Sequence, residues 1–269
     1  MLRSLLTLFL AASLFAETAL LEGRKVHYST YGNGKQAIVL IHGWTCDESV
    51  WASAVPDLAK QYRVLTVDLP GHGQSDAVPG NTMEAYADAV GAAIQHANIK
   101  RAILAGHSMG GPVILAFARR FPEQTTALVG VDAVFLDAAT AEKMKDPAKR
   151  FEGPGGLTAR EQMIRSMFSA ATTNEMQEHI LRMMLATPES VAVGAMQSMW
   201  APAFWRDDAI DLPMLEIAAA TNTYMTLESL KRRFPKAELQ RIEGTGHFLM
   251  MERPAEFDRI LLDWLAAQH

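Results

Sequence analysis

The chain has 269 residues, 49% of them hydrophobic, and a formal net charge of −5. That length and composition allow one large core, as in a single α/β domain carrying an insertion. The charges are spread along the chain, so no basic face exists to bind nucleic acid or an anionic membrane. Cys46 is the only cysteine, which excludes an intramolecular disulfide and a cysteine-based metal cluster. No metal and no cofactor are expected.

The N-terminus reads as a targeting segment. Arg3 precedes a largely apolar run over 5–15, and Ala16 is a small residue at a cleavage point before Glu17. Residues 1–16 are therefore expected to be a signal peptide and the mature protein to be exported, periplasmic or secreted. The alternative is a cytoplasmic protein with an apolar N-terminal helix. The run is too short to span a bilayer as a helix, so no stable membrane span is expected.

Beyond it, 25–31 alternates as an edge strand and ends in the turn Gly32-Asn33-Gly34-Lys35. Residues 36–41 form a buried strand that runs into His42-Gly43-Trp44. The spacing of Val50, Trp51, Val55 and Leu58 predicts a helix over 47–60. A strand over 62–67 leads into DLPGHGQS, a tight loop that needs permissive backbone at Gly71 and Gly73. Asn81 with Glu84 predicts a capped helix running to about residue 97.

The segment 101–121, RAILAGHSMGGPVILAFARRF, follows. A short apolar strand passes through Gly106-His107-Ser108-Met109-Gly110 into a helix stopped by Pro122. This is G-x-S-x-G in the strand–turn–helix order its chemistry demands. The turn strains the serine backbone, lifts its hydroxyl clear of the sheet edge, and needs small residues two positions away on either side. The N-terminus of the following helix adds a positive field where an oxyanion would form.

A further strand over 126–131 ends at Asp132. The strand–helix alternation then breaks down over 133–211, a segment with eight of the fifteen methionines and periodic stretches over 161–170 and 174–185. The sheet resumes over 213–218. A helix over 227–234, a last strand over 237–242, the loop Gly244-Thr245-Gly246-His247-Phe248 and a closing helix over 255–267 complete the chain.

These motifs resemble the α/β-hydrolase family over nearly the whole chain after Gly23. The resemblance rests on His42-Gly43-Trp44, DLPGHGQS, GHSMG and GTGHFLMMERP. It implies a mostly parallel central β-sheet flanked by helices, with core residues 17–132 and 212–269 and a helical cap over 133–211. Ser108 matches the family's nucleophile, His247 its base, and the backbone N–H groups of Trp44 and Met109 its oxyanion hole. His42 is expected to order its loop rather than act as a base. His42, Trp44, His107, Phe168, Trp200 and Phe248 are the candidates to line a substrate pocket.

The acid departs from the common pattern. By the family's spacing it falls on Asn222, an amide. Some members carry it one strand earlier, and that position here is Asp132, with Asp137 as the reserve. The resemblance then implies a serine hydrolase of small-molecule carboxylic esters with small to medium apolar acyl groups, working through Ser108, His247 and Asp132. A lactonase, a carbon–carbon bond hydrolase and an aminopeptidase on the same scaffold are alternatives. So is a non-catalytic ligand-binding protein, which the amide at Asn222 supports. Oligomeric state is left open.

Overall fold

The computed structural model describes residues 15–144 and 146–268. Most of the expected signal segment lies outside the described residues. Strand β1 (Phe15–Leu21) and strand β2 (Arg24–Tyr31) form an antiparallel hairpin. A cut before Glu17 would leave their pairing intact from Glu17↔Tyr28 to Leu21↔Arg24. The expected pattern contained β2 but not β1, whose apolar residues merge with the preceding run in the sequence. Among the described residues no helix is long and apolar enough to cross a membrane.

The remaining strands are β3 (Ala37–Ile41), β4 (Arg63–Val67), β5 (Ala102–His107), β6 (Thr125–Val131), β7 (Met214–Ala219) and β8 (Ala237–Ile242). Together they make an eight-stranded sheet in the order β1-β2-β4-β3-β5-β6-β7-β8. The pairings β1–β2 and β2–β4 are antiparallel, and all others are parallel. β3, β5 and β7 are buried along their whole length, as expected of parallel strands covered on both faces.

The helices are α1 (Val55–Leu58), α2 (Met83–His96), α3 (Gly110–Arg120), α4 (Ala138–Lys143), α5 (Gly156–Ser166), α6 (Asn174–Ala186), α7 (Glu189–Met199), α8 (Leu227–Arg233), α9 (Leu249–Glu252) and α10 (Pro254–Ala266). α5–α7 form a helical insert between β6 and β7.

Two local expectations are corrected. The helix expected over 47–60 divides into a 3₁₀ turn, Glu48–Trp51, and the short α1. Its four apolar residues are nevertheless all buried. The cap of α2 is Thr82, whose hydroxyl accepts from the Ala85 N–H at 3.1 Å. Asn81 instead sits at φ +43° and donates its side-chain amide to the Ser190 carbonyl of α7. Asn81 thus ties the insert to the body, and the reciprocal bond that would need Glu84 is absent because the register is one residue later.

Asp258 is an ionisable group the fold pays to bury. It lies on the inner face of α10, 5% exposed, and its Oδ1 has no hydrogen-bond partner among the described residues. Burial, reinforced by Asp57, pushes its carboxyl up to about 7. The unfolded chain releases this proton near the ordinary carboxylate value of 3.8 while the folded chain retains it. Stability therefore falls as pH rises from about 4 to 7, and the full cost is present above that window. Asp258→Asn is expected to raise Tm by roughly 5 °C at about pH 8 and to leave it unchanged at about pH 4. Thermal melts at the two pH values measure this, and an equal shift at both would rule out the buried carboxylate as its source.

Candidate active site

The parallel strands all point their C-terminal ends to one side, where open α/β sheets place their ligands. His42 follows β3, Ser108 follows β5, Asp132 follows β6, Asn222 follows β7 and His247 follows β8. Residues distant in sequence thus meet along one edge.

Ser108 sits at φ +53° between β5 and α3. Its N–H donates to the Val131 carbonyl at 3.0 Å, and its own carbonyl accepts from Gly111 and Val134 at 2.9 and 3.1 Å. These bonds tie the turn to the end of β6. The turn is also sterically closed. A Cβ on Gly106 would stand 2.2 Å from the Gly110 carbonyl oxygen, and one on Gly110 would stand 2.6 Å from that of Ile41. Both contacts are with backbone, which cannot move aside. The glycines of the motif are therefore required by close approach.

The loop after β3 packs against this serine. A Cβ on Gly43 would lie 3.0 Å from that of Ser108, so the Gly43–Trp44 backbone passes beside the hydroxyl-bearing carbon. The His42 ring braces the loop: Nδ1 donates to the Gly43 carbonyl at 2.8 Å and Nε2 accepts from the Leu69 N–H at 2.9 Å. Burial lowers its pKa to about 4, so both ring nitrogens are committed in the neutral form.

His247 Nδ1 stands 2.6 Å from Asp132 Oδ2. With an ionised carboxylate as acceptor, Nδ1 carries the proton and Nε2 is the basic nitrogen. The His247 backbone is fixed twice. Its N–H donates to the Met167 carbonyl at 3.1 Å, and its carbonyl accepts from His107 Nε2 at 2.9 Å. Burial, with the neighbouring His247, lowers His107 to about 3, so that ring acts as a neutral donor. Glu252 joins the same loop to the insert through Thr172 Oγ1 and the Gly246 N–H.

Asp132 adopts φ +43° and is 7% exposed. Its Oδ1 accepts from the Ala219 N–H at 3.1 Å and from Asn222 Nδ2 at 2.9 Å. Burial pushes its carboxyl up, but the bond to His247, the bond to Asn222 and the Ala219 N–H together outweigh burial and hold it below the usual carboxylate value. Asp137, the reserve acid, lies elsewhere. It caps α4 by accepting from the Thr140 N–H at 2.7 Å, and it is 4.0 Å from Arg232.

A cavity of about 1550 Å³ opens beside Asp132 and His247 and reaches past α4 to α8. Phe168 and Trp200 line it, with Phe135, Met167, Met225 and Leu230. The other pocket candidates are placed differently. His42, His107 and Phe248 are fully buried behind the site. Trp44 is 3% exposed, donates Nε1 to the Ala192 carbonyl of α7 at 2.7 Å and stacks on Phe151. Its side chain anchors the insert and does not wall the cavity.

A model of the alpha/beta hydrolase family matches residues 38–260. The chain belongs to the alpha/beta hydrolase family. It is similar to a 2-hydroxy-6-oxononadienedioate/2-hydroxy-6-oxononatrienedioate hydrolase of Paraburkholderia phymatum, with 28% identity across 90% of this chain and 91% of the relative. It is 30% identical to a pimeloyl-[acyl-carrier protein] methyl ester esterase of Aromatoleum aromaticum, over 81% of this chain and 94% of that one. In structure it resembles a thermophilic esterase from Thermogutta terrifontis, with a TM-score of 0.80, 25% identity and coverage of 96% and 100%.

Sequence reasoning missed two side chains of this alpha/beta hydrolase that shape the site. Glu216, on β7, is fully buried and accepts the Ala133 N–H at 2.9 Å, bracing the residue after Asp132. Burial raises its carboxyl well above the ordinary value and so favours the protonated form. A lone carboxylate within the apolar strand MLEIAA was the legible signal for it. The second is Asn222, visible in the sequence only as a missing acid.

Proposed function

We propose that this hydrolase cleaves carboxylic esters whose apolar part occupies the cavity beside His247. The observation that carries this reading is the Asp132–His247 pair at 2.6 Å, at the same sheet edge as a serine held at φ +53°. Ser108 Oγ attacks the ester carbonyl while His247 Nε2 takes its proton, and Asp132 steadies the imidazolium. The backbone N–H groups of Trp44 and Met109 hold the oxyanion, aided by the N-terminus of α3. The alcohol leaves with the proton from His247. Water, deprotonated by His247, then releases the acid and restores Ser108.

The methyl ester esterase of Aromatoleum aromaticum supports an ester substrate. The hydrolase of Paraburkholderia phymatum keeps a second reading in view, carbon–carbon bond hydrolysis on the same residues. The cavity, about 1550 Å³, exceeds the roughly 300–1,000 Å³ of ordinary small-molecule pockets. We therefore extend the substrate from small and medium acyl groups to long ones. Across p-nitrophenyl esters from acetate to palmitate, kcat/KM is expected to rise with chain length by about tenfold or more before it levels. A serine-directed phosphonate is expected to label Ser108. If folded protein turns over no ester and takes no label, the esterase reading is wrong. A maximum at acetate would remove the cavity as the acyl site.

A further inference from the structure

We propose that Asn222 is the positioning residue of the Asp132–His247 pair. It stands where the family's spacing would put the acid, and it supplies that acid's holder instead. The proposal rests on the esterase reading above only for its kinetic readouts.

Three observations carry it. First, the two oxygens of Asp132 are divided between partners. Oδ2 meets His247 Nδ1 at 2.6 Å, while Oδ1 takes Asn222 Nδ2 at 2.9 Å and the Ala219 N–H at 3.1 Å. A carboxylate turns easily about its terminal torsion. Donors confined to Oδ1 select which oxygen faces the imidazole.

Second, the orientation of the Asn222 amide is fixed. Its Oδ1 accepts from the Met225 N–H at 3.2 Å. The oxygen is thereby used, and the NH₂ group is the end left to face the carboxylate.

Third, the loop that carries Asn222 is stapled in place. The Asn222 N–H donates to the Ala219 carbonyl at 3.0 Å. Arg241, reaching over from β8, donates to the carbonyls of Ala219 at 3.1 Å, Asn222 at 2.7 Å and Met225. A guanidinium fork on three carbonyls leaves the loop little freedom. Such a construction is not needed merely to pass the chain from β7 to α8.

A neutral donor suits this position better than an acid. An amide stabilises the ionised form of Asp132 without adding charge, whereas a second carboxylate at that distance would force the two groups to share a proton.

The test uses Asn222→Ala and the isosteric Asn222→Asp in the full-length protein. Asn222→Ala is expected to lower kcat by about tenfold with KM within about twofold, since a hydrogen bond to a charged group is lost without a substrate contact. Asn222→Asp is expected to move the acid limb of the kcat/KM profile up by about one pH unit, with activity recovered above it. That recovery is one Asn222→Ala cannot show. Proton NMR of the His247–Asp132 hydrogen bond gives a readout without substrate: its low-field Nδ1–H signal is expected to shift or broaden in both variants.

Wild-type kcat in folded Asn222→Ala would overturn the proposal. So would an unmoved acid limb in Asn222→Asp, whatever Asn222→Ala does, because a carboxylate at residue 222 must perturb the pair if that side chain faces Asp132. If Asn222→Ala fails to fold, Asn222→Asp decides alone. If the wild-type protein hydrolyses no ester, the esterase reading fails, and the NMR signal still decides this one.

Discussion

Ser108→Ala is expected to lower kcat on a p-nitrophenyl ester by about 10⁶ while leaving Tm within a few degrees, on the scale of nucleophile deletions elsewhere. In the proposed mechanism the hydroxyl forms the acyl-enzyme bond, so that the variant would keep only the rate due to substrate binding and oxyanion stabilisation. The substitution is structurally mild. Ser108 is 8% exposed, and the bonds that hold its turn run through its backbone, to Val131, Gly111 and Val134. Alanine meets the same strain at φ +53° as serine does. Steady-state assays with a phosphonate titration of active sites measure the loss. Retention of activity within about tenfold would mean that Ser108 is not the nucleophile.

Asp132→Asn is expected to lower kcat by about 10⁴. The surroundings dictate how. Asn222 Nδ2 and the Ala219 N–H both donate toward the Oδ1 position. An amide at residue 132 satisfies them only by turning its carbonyl oxygen their way. Its NH₂ group then faces His247 Nδ1, which must become an acceptor. The ring proton moves to Nε2, the nitrogen required as base. Loss of the negative charge also leaves the imidazolium unsupported in a site where Asp132 is 7% exposed. Asp137→Asn is expected to retain wild-type turnover within about twofold, because Asp137 caps α4 and is not part of this pair. Kinetics of the two variants compare the acids directly, and a larger loss at Asp137 would reverse their assignment.

Much of the fold was legible because local constraint writes itself into the chain. Parallel strands buried on both faces leave short apolar runs, and β3, β5, β6 and β7 were readable from them within a residue or two. The glycines at 106 and 110 report a turn in which no Cβ fits against neighbouring backbone. Where the local signal is shared or weak, the reading failed. β1 merges with the apolar run before it, and its strand state is decided by pairing with β2. The Thr82 cap differs from the expected Asn81 by one residue, because both side chains can accept from a helix N-terminus. Only the contact of Asn81 with α7 separates them.

The site divides along the same line. Ser108 and His247 each carry a local signature, a strained turn and a glycine-flanked loop after a strand, so the chain itself determined them as candidates. The acid has no such signature. Asp132 and Asp137 are both carboxylates in one loop after β6, and only the resemblance to family members that carry the acid one strand earlier placed Asp132 ahead. The parallel register of β6, β7 and β8 sets Asp132 Oδ2 at 2.6 Å from His247, while Asp137 caps a helix end, and the proposed role of Asp132 rests on that pairing. That same register changed the meaning of Asn222 from a lost acid to a donor on Asp132. An amide's role depends on which group lies across from it, and groups across a parallel sheet are brought together by tertiary pairing, which spacing along the chain does not encode.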